Sequence, residues 1–401
     1  MKKLIVIAVV FALVAGVAFA ETRVSGTIDT RIRLVDADNN DDNDATIGGV
    51  GVADGYVQLS GQDDDAKFGG LVRIKANPGV RNGAGPNGTP VGTFHRAFAW
   101  WQPIPQLKIF LGQDKDGMFA TGQLTDWAFH QGAEGFVSRH DWDYWRAIFP
   151  GNWDNFGLAF SVYPVPGVDI NLVIPTGAVN SWPLDNDKTG LTWKTVPAAL
   201  RLQSGIGIPD IGKIFISYQG PSQNGAYTWG DKPDGASFGN VGVSFYFTMI
   251  EGLAIQAGFA TDLVGSDGPN RPIHLGLAAH YTGGDWGVKF RLGTQISAIG
   301  PSYQYQPVNQ NANLPEGNYF AFNVMPWYNL GFMTGYFDIG AEISIPDGGD
   351  ADIYFWLNPY VRKSIGPGAL RAGIMVGIDP PPGDGDAHIT FQIPVQFVYS
   401  F

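Results

Sequence analysis

From Ile389 to the terminal Phe401 every odd position is apolar: Ile389, Phe391, Ile393, Val395, Phe397, Tyr399 and Phe401. A strict period of two is the signature of a β-strand with one oily face and one wetter face. The pattern recurs along the chain. Val24, Gly26, Ile28, Thr30, Ile32 and Leu34 share one face, and Arg23, Ser25, Thr27, Asp29, Arg31 and Arg33 share the other. Trp286, Val288, Phe290, Leu292, Thr294 and Ile296 oppose Lys289, Arg291 and Gln295 in the same way. Ile273, Leu275, Leu277, Ala279 and Tyr281 oppose His274, His280 and Thr282. Further copies run through 241–247, 253–261, 320–324, 335–345, 353–361 and 370–378.

After residue 20 no segment approaches the ~18 to 20 unbroken apolar residues of a membrane helix. Such a chain can cross a membrane only with strands, and strands in lipid must close into a ring so that every backbone group is paired. A mean hydropathy of -0.03 is then expected, because alternating spans cancel on any averaged scale. Arginine at mid-depth in lipid costs roughly 2–4 kcal/mol, so the arginine faces point inward. The expected fold is all-β, a transmembrane antiparallel β-barrel of about 16 strands, with a range of about 14 to 18 open. The range reflects residues 141–193, where prolines such as Pro150, Pro164, Pro166, Pro175 and Pro183 blur the register. Short turns, Pro209–Gly212, Met249–Gly252, Thr282–Asp285 and Ser364–Pro367, alternate with longer polar stretches at 36–51, 77–92, 113–140, 176–194, 220–236, 263–271 and 299–316. That layout puts the turns in the periplasm and the loops outside.

Met1-Lys2-Lys3, the apolar run Leu4 to Val17 and Ala18-Phe19-Ala20 form a cleavable secretory signal peptide, residues 1–20, ahead of a single barrel domain, residues 21–401. The chain has no cysteine, so in an exported protein its stability comes from the hydrogen-bonded ring. A formal net charge of -12 argues against nucleic acid as a partner.

With its terminal aromatic strand, its leader, its amphipathic strands and a long third loop, the chain resembles the general bacterial outer-membrane porins over the whole of residues 21–401. It lacks the acidic Pro-Glu-Phe-Gly-Gly loop motif usual in that family, so the subfamily stays open. The resemblance implies a channel in the cell outer membrane for passive diffusion of small hydrophilic solutes and ions, with no cofactor. It implies embedding in outer-membrane lipid, recognition of Phe397, Tyr399 and Phe401 by the barrel-assembly machinery, and a homotrimer. It also implies that the third loop, 113–140, folds inward. Its acids Asp114, Asp116, Asp126 and Glu134 would then face the basic cluster Arg23, Arg31, Arg33, Arg73 and Lys75 across water, a field that selects by charge. The alternative is a loop that caps the mouth with its acids solvated.

Eight of the 12 tryptophans fall between Trp100 and Trp193. Trp127, Trp142 and Trp145 are candidates for stacking on solute, which would suit a sugar-selective porin, whereas the commoner place of such rings is the two interfacial girdles. Trp100 and Trp101 must point to opposite faces. Inward Arg23, Arg31, Arg33, Arg73, Lys75, Arg201, Lys289, Arg291 and Arg371 outnumber inward Asp29, Asp338, Glu342 and Asp352, so the wall leans towards anions despite the acidic total. The run Asp36 to Asp44 lacks the glycine and glutamate of a calcium loop, and no His/Cys metal spacing occurs. His140-Asp141, His274 and His280 carry no catalytic motif around them, so the reading is not an enzyme. A plugged barrel acting as an adhesin or structural protein is the alternative from another class. A fatty-acid-type transporter would need an N-terminal plug, and alternation begins too soon after residue 20 for one.

Overall fold

The structure, a computed structural model, describes residues 21–38, 51–77, 91–114, 155–175, 200–219, 240–263, 273–298, 317–379 and 387–401. The expected signal peptide 1–20, Asp116, Asp126, Glu134, the pair His140-Asp141 and Trp127, Trp142 and Trp145 lie outside these residues.

Every regular element among the described residues is a β-strand. The first half of the chain supplies β1 (Glu21–Asp38), β2 (Gly51–Gln62), β3 (Phe68–Asn77), β4 (Val91–Ile104), β5 (Leu107–Asp114), β6 (Asn155–Val162), β7 (Val168–Pro175), β8 (Arg201–Ile208) and β9 (Gly212–Gln219). The second half supplies β10 (Asn240–Phe247), β11 (Leu253–Asp262), β12 (Ile273–Gly283), β13 (Trp286–Ala298), β14 (Gly317–Asn329) and β15 (Thr334–Pro346). It ends with β16 (Asp352–Ile365), β17 (Gly368–Gly373), β18 (Met375–Asp379) and β19 (His388–Ser400).

Neighbours in sequence pair antiparallel and β1 pairs with β19, so the sheet closes on itself. Both β17 and β18 lie between β16 and β19, and they form one stave interrupted at Ile374. The interruption has a chemical cause. Ile374 donates its N–H to the Pro359 carbonyl at 2.9 Å, and Pro359 has no N–H to return. The 19 segments therefore make 18 staves, the upper end of the range read from the sequence. The ambiguous stretch contributes the hairpin β6–β7, with Pro164 and Pro166 in its turn and Pro175 as the last residue of β7, places where a missing donor is tolerated.

The faces divide as the arginines required. Val24, Ile28, Leu59, Leu111, Ile216, Val243, Leu275 and Ile353 stand exposed on the outside, while Asp29, Asn171, Gln203, Gln256, Arg291, Asp338, Asn358 and Gln396 are buried on the inside. A soluble protein would show the opposite. β1 carries one register shift against β19, between Arg33 and Val35, so its alternation moves on by one residue beyond Leu34.

All the turns that join an odd-numbered hairpin mate to its partner from β2–β3 through β16–β17 are short and lie at one end of the ring. Gly284 (φ 63°) and Gly366 (φ 56°) sit at two of these turns, where the backbone must be left-handed. The start of β1 and the C-terminal residue lie at this same end, Glu21 opposite Gln62 and Phe401 opposite Gly26. The outward aromatics Trp101, Tyr163, Tyr281, Trp286, Tyr328 and Tyr399 also gather there, which is the position of an interfacial girdle. Four rings lie flat on glycines of the wall: Trp100 on Gly69, Trp327 on Gly287, Trp356 on Gly340 and Phe401 on Gly26. Each ring covers backbone that a glycine leaves bare.

The Phe401–Gly26 contact is testable. Phe401 and Gly26 exchange two backbone hydrogen bonds of 2.9 and 3.0 Å, and a Cβ on Gly26 would run into the Phe401 ring. Gly26→Val should cost about 1–3 kcal/mol by overpacking, read as a lowered urea midpoint of the purified barrel. Deleting Phe401 should reduce the folded, heat-modifiable fraction on an unboiled gel. A deletion variant that folds as well as wild type contradicts the role given to this residue.

Candidate functional site: the inner wall of the ring

Period two aims every second residue of each stave into the bore, so the inner wall is a chemical surface set by parity. On β2 to β5 that surface pairs cations with rings. Arg73 donates its Nε–H to Gln58 Oε1 at 2.9 Å and lays its guanidinium 4.2 Å from the Tyr56 ring centroid. Arg96 stands directly opposite Arg73, 5.3 Å from the Phe98 centroid. Lys108 Nζ lies 4.9 Å from the Trp100 centroid and 5.2 Å from that of Phe110. Ring faces attract these cations without neutralising them. Phe98, Trp100, Phe110, Ala159 and Val173 pack together behind them as an apolar patch on an otherwise polar wall.

On β6 to β9 the wall is a hydrogen-bonded relay. Ser161 donates to Asn171 Oδ1 at 2.7 Å, Asn171 donates to Asp169 Oδ2 at 3.1 Å, and Lys213 reaches Asp169 Oδ1 at 2.6 Å. Lys213 is thereby both an ion-pair partner and a cation 5.0 Å from the Phe215 centroid.

On β13 to β19 the wall is denser. Asn323 donates to Asp338, and Arg291 lies within electrostatic reach of Asp338 and Glu342. Lys289 lies within reach of Arg371 and Arg362. Arg371 donates to Gln396 Oε1 at 3.1 Å, and Gln396 donates onward to Asp29 Oδ2 at 2.8 Å, a chain that crosses the seam between the last stave and the first. Tyr336 and Tyr360 stack 4.6 Å apart and nearly parallel, and Tyr360 donates to Met325 Sδ at 3.6 Å. Tyr354 and Trp356 stack at 5.7 Å.

The sequence-derived site residues land unevenly. Arg73 is inward and half-buried, Arg23 is exposed near the turn end, and Arg31, Arg33 and Lys75 hold backbone positions opposite Gln396, Pro394 and Tyr56. Asp114 needs a correction. It is the last residue of β5, paired with Arg96 and Asn155, because the ladder begun by Leu107, Ile109 and Leu111 runs on to it; the interval after β5 starts at 115. Trp101 is outward and 53% exposed, which leaves Trp100 as the inward member of that pair. Sequence reading passed over Arg96, Lys108, Lys213 and their rings. The signal was there as Arg96-Ala-Phe98-Ala-Trp100 and Lys108-Ile-Phe110, cation and ring two residues apart and so on one face. No group of three metal-ligating side chains occurs among the described residues.

No protein-family model matches the sequence, and no curated protein does. Solved structures do match the fold. Acinetobacter baumannii OccAB3 shares 9% identity with a TM-score of 0.56, covering 95% of this chain and 99% of that one. The outer-membrane protein OpdK of Pseudomonas aeruginosa shares 10% identity with a TM-score of 0.54, covering 94% and 99%. The anion-selective porin of Comamonas acidovorans shares 10% identity with a TM-score of 0.51, covering 95% and 100%. A closed antiparallel ring, apolar outside and polar inside, that superposes on these channels end to end has the fold of the bacterial outer-membrane porins.

Proposed function

We propose that the protein is a porin of the outer membrane, a water-filled channel for passive diffusion of small hydrophilic solutes. The observation that carries this reading is the inverted division of the wall, exposed Leu, Ile, Val and Phe outside and buried Asp, Asn, Gln and Arg inside a closed ring. Only lipid outside and a polar interior satisfy both faces. Residues 1–20 direct export, Phe397, Tyr399 and Phe401 mark the chain for the barrel-assembly machinery, and three copies associate through the outer wall.

Solute selection follows from local charge, which acts within about 8 Å in physiological salt. Inward Arg73, Arg96, Lys108, Arg201, Lys213, Lys289, Arg291 and Arg371 exceed inward Asp29, Asp169, Asp338 and Glu342 among the described residues, which favours anions along the wall. The third external interval, 115–154, is the longest between consecutive staves and carries Asp116, Asp126 and Glu134. In the proposed channel it folds into the bore and sets its acids against the basic wall. Support comes from its length and from the excess of inward cations it would face. On the wall itself Gln203, Gln256, Asp338, Asn358 and Gln396 are each no more than 1% exposed. That burial favours a second reading, a permanently filled barrel with a structural or adhesive role. Single-channel recording separates the two, since an open pore conducts and a filled one does not.

Two outcomes are expected in planar bilayers. Asp126→Asn with Glu134→Gln should shift the reversal potential in a salt gradient towards greater anion preference; an unchanged value removes the acidic constriction. Arg73→Gln with Arg96→Gln should move it the other way, towards cations, with the folded fraction unchanged. If both pairs leave the potential where it was, ions do not pass along this wall.

A further inference from the structure

The end of the ring that carries the short turns is chemically lopsided. At the β2–β3 turn Asp63, Asp64 and Asp65 follow one another, and Lys67 pairs with Asp65 at 3.1 Å with both side chains well exposed, 61% and 71%. Six and eight staves further round the ring of 18, the β8–β9 and β10–β11 turns present Ile211, Met249 and Ile250, exposed by 38%, 60% and 50%. These tips adjoin the outward apolar faces of their staves at Ile208, Phe247 and Leu253, with Asp210, Thr248 and Glu251 as the polar residues between.

A second observation marks the same sector. The outward Tyr and Trp residues of the turn end sit on β4, after β6, and on β12, β13, β14 and β19, and among the described residues none occurs between Tyr163 and Tyr281. Such rings settle at the headgroup level, where one edge is wet and the other apolar. Aliphatic tips in their place suit a rim that lies below that level. Elsewhere apolar turn residues stand beside an anchoring ring, Val165 beside Tyr163 and Leu330 beside Tyr328, which holds those turns at the interface.

We propose that the barrel sits tilted in its membrane, with the β8–β11 side of the turn rim submerged in the lipid of the periplasmic leaflet and the β2–β3 side raised into water. This rests on the membrane-channel reading above. A lipid surface is the occupant that continues the exposed apolar wall onto Ile211, Met249 and Ile250. A second copy packed side by side would cover the sheet face, whereas Ile211, Met249 and Ile250 project beyond the end of the sheet. The charges at these tips, Asp210 and Glu251, are exposed. Rigid tilt is an ordinary response of a membrane protein whose apolar border is uneven.

The chain has no cysteine, so single-cysteine variants report cleanly. Ile211→Cys, Met249→Cys and Ile250→Cys would each carry a nitroxide label in phosphatidylethanolamine and phosphatidylglycerol vesicles. Val243→Cys is the mid-wall control and Asp64→Cys the aqueous one. Relaxation by oxygen, which enters lipid, and by a water-soluble nickel chelate is then compared. The expected result is loss of nickel relaxation at 211, 249 and 250, matching 243, with full nickel relaxation at 64. Tip labels that respond to nickel as strongly as the label at 64 overturn the tilt. So do tip labels reached by neither reagent, which would mean cover by another chain. A label at 243 that responds to nickel overturns the membrane reading itself.

Discussion

Between Thr27 and Asp38 on β1 and Thr390 and Ser400 on β19 the first and last strands hydrogen-bond to each other, and without that seam the sheet would offer lipid two rows of unpaired N–H and C=O groups. Each such group left bare in hydrocarbon costs several kcal/mol, so the ring is stable closed or not at all. The seam is reinforced on both faces. Gln396 reaches Asp29 across 367 positions of sequence on the inside, and the Phe401 ring covers Gly26 on the outside.

Once the ring is closed, parity decides the rest. The outer face needs only to be apolar, and it is built from interchangeable Leu, Ile, Val and Phe. The inner face is specific. Cations there are held by ring faces on β2 to β5, by the carboxylate Asp169 on β6 to β9, and by amides and acids on β13 to β19. A cation over a ring keeps its outward field, whereas one paired with a carboxylate loses most of it. The three sectors therefore present different electrostatics to a passing solute.

The sequence made strand type, face assignment and the position of most turns legible, because a period of two is visible wherever turn residues bound it. The turns Pro209–Gly212, Met249–Gly252, Thr282–Asp285 and Ser364–Pro367 all join consecutive staves. The number of staves was legible only as a range. Between 141 and 193 the prolines are turn and strand-end residues of β6 and β7, and proline reads the same way whether it breaks a strand or borders one. The fate of Asp114 was similarly hidden, since nothing local says on which residue a ladder stops. At the candidate site single inward arginines were legible, but their partners were not. Arg73 with Tyr56 and Gln58 joins two strands through a register that only the folded sheet sets.

By itself the sequence determined that this chain must be a ring of strands with a polar bore, because alternating segments with inward arginines and no helix-length apolar run after residue 20 admit no other structure in lipid. Tertiary structure alone decided that there are 18 staves, that Arg371, Gln396 and Asp29 form one chain across the seam, and that the triple-aspartate turn and the Met249 turn stand on opposite sides of the rim. The reason is physical. Alternation is a property of neighbouring residues, whereas ring size, register and position around the bore depend on hydrogen bonds between strands hundreds of residues apart.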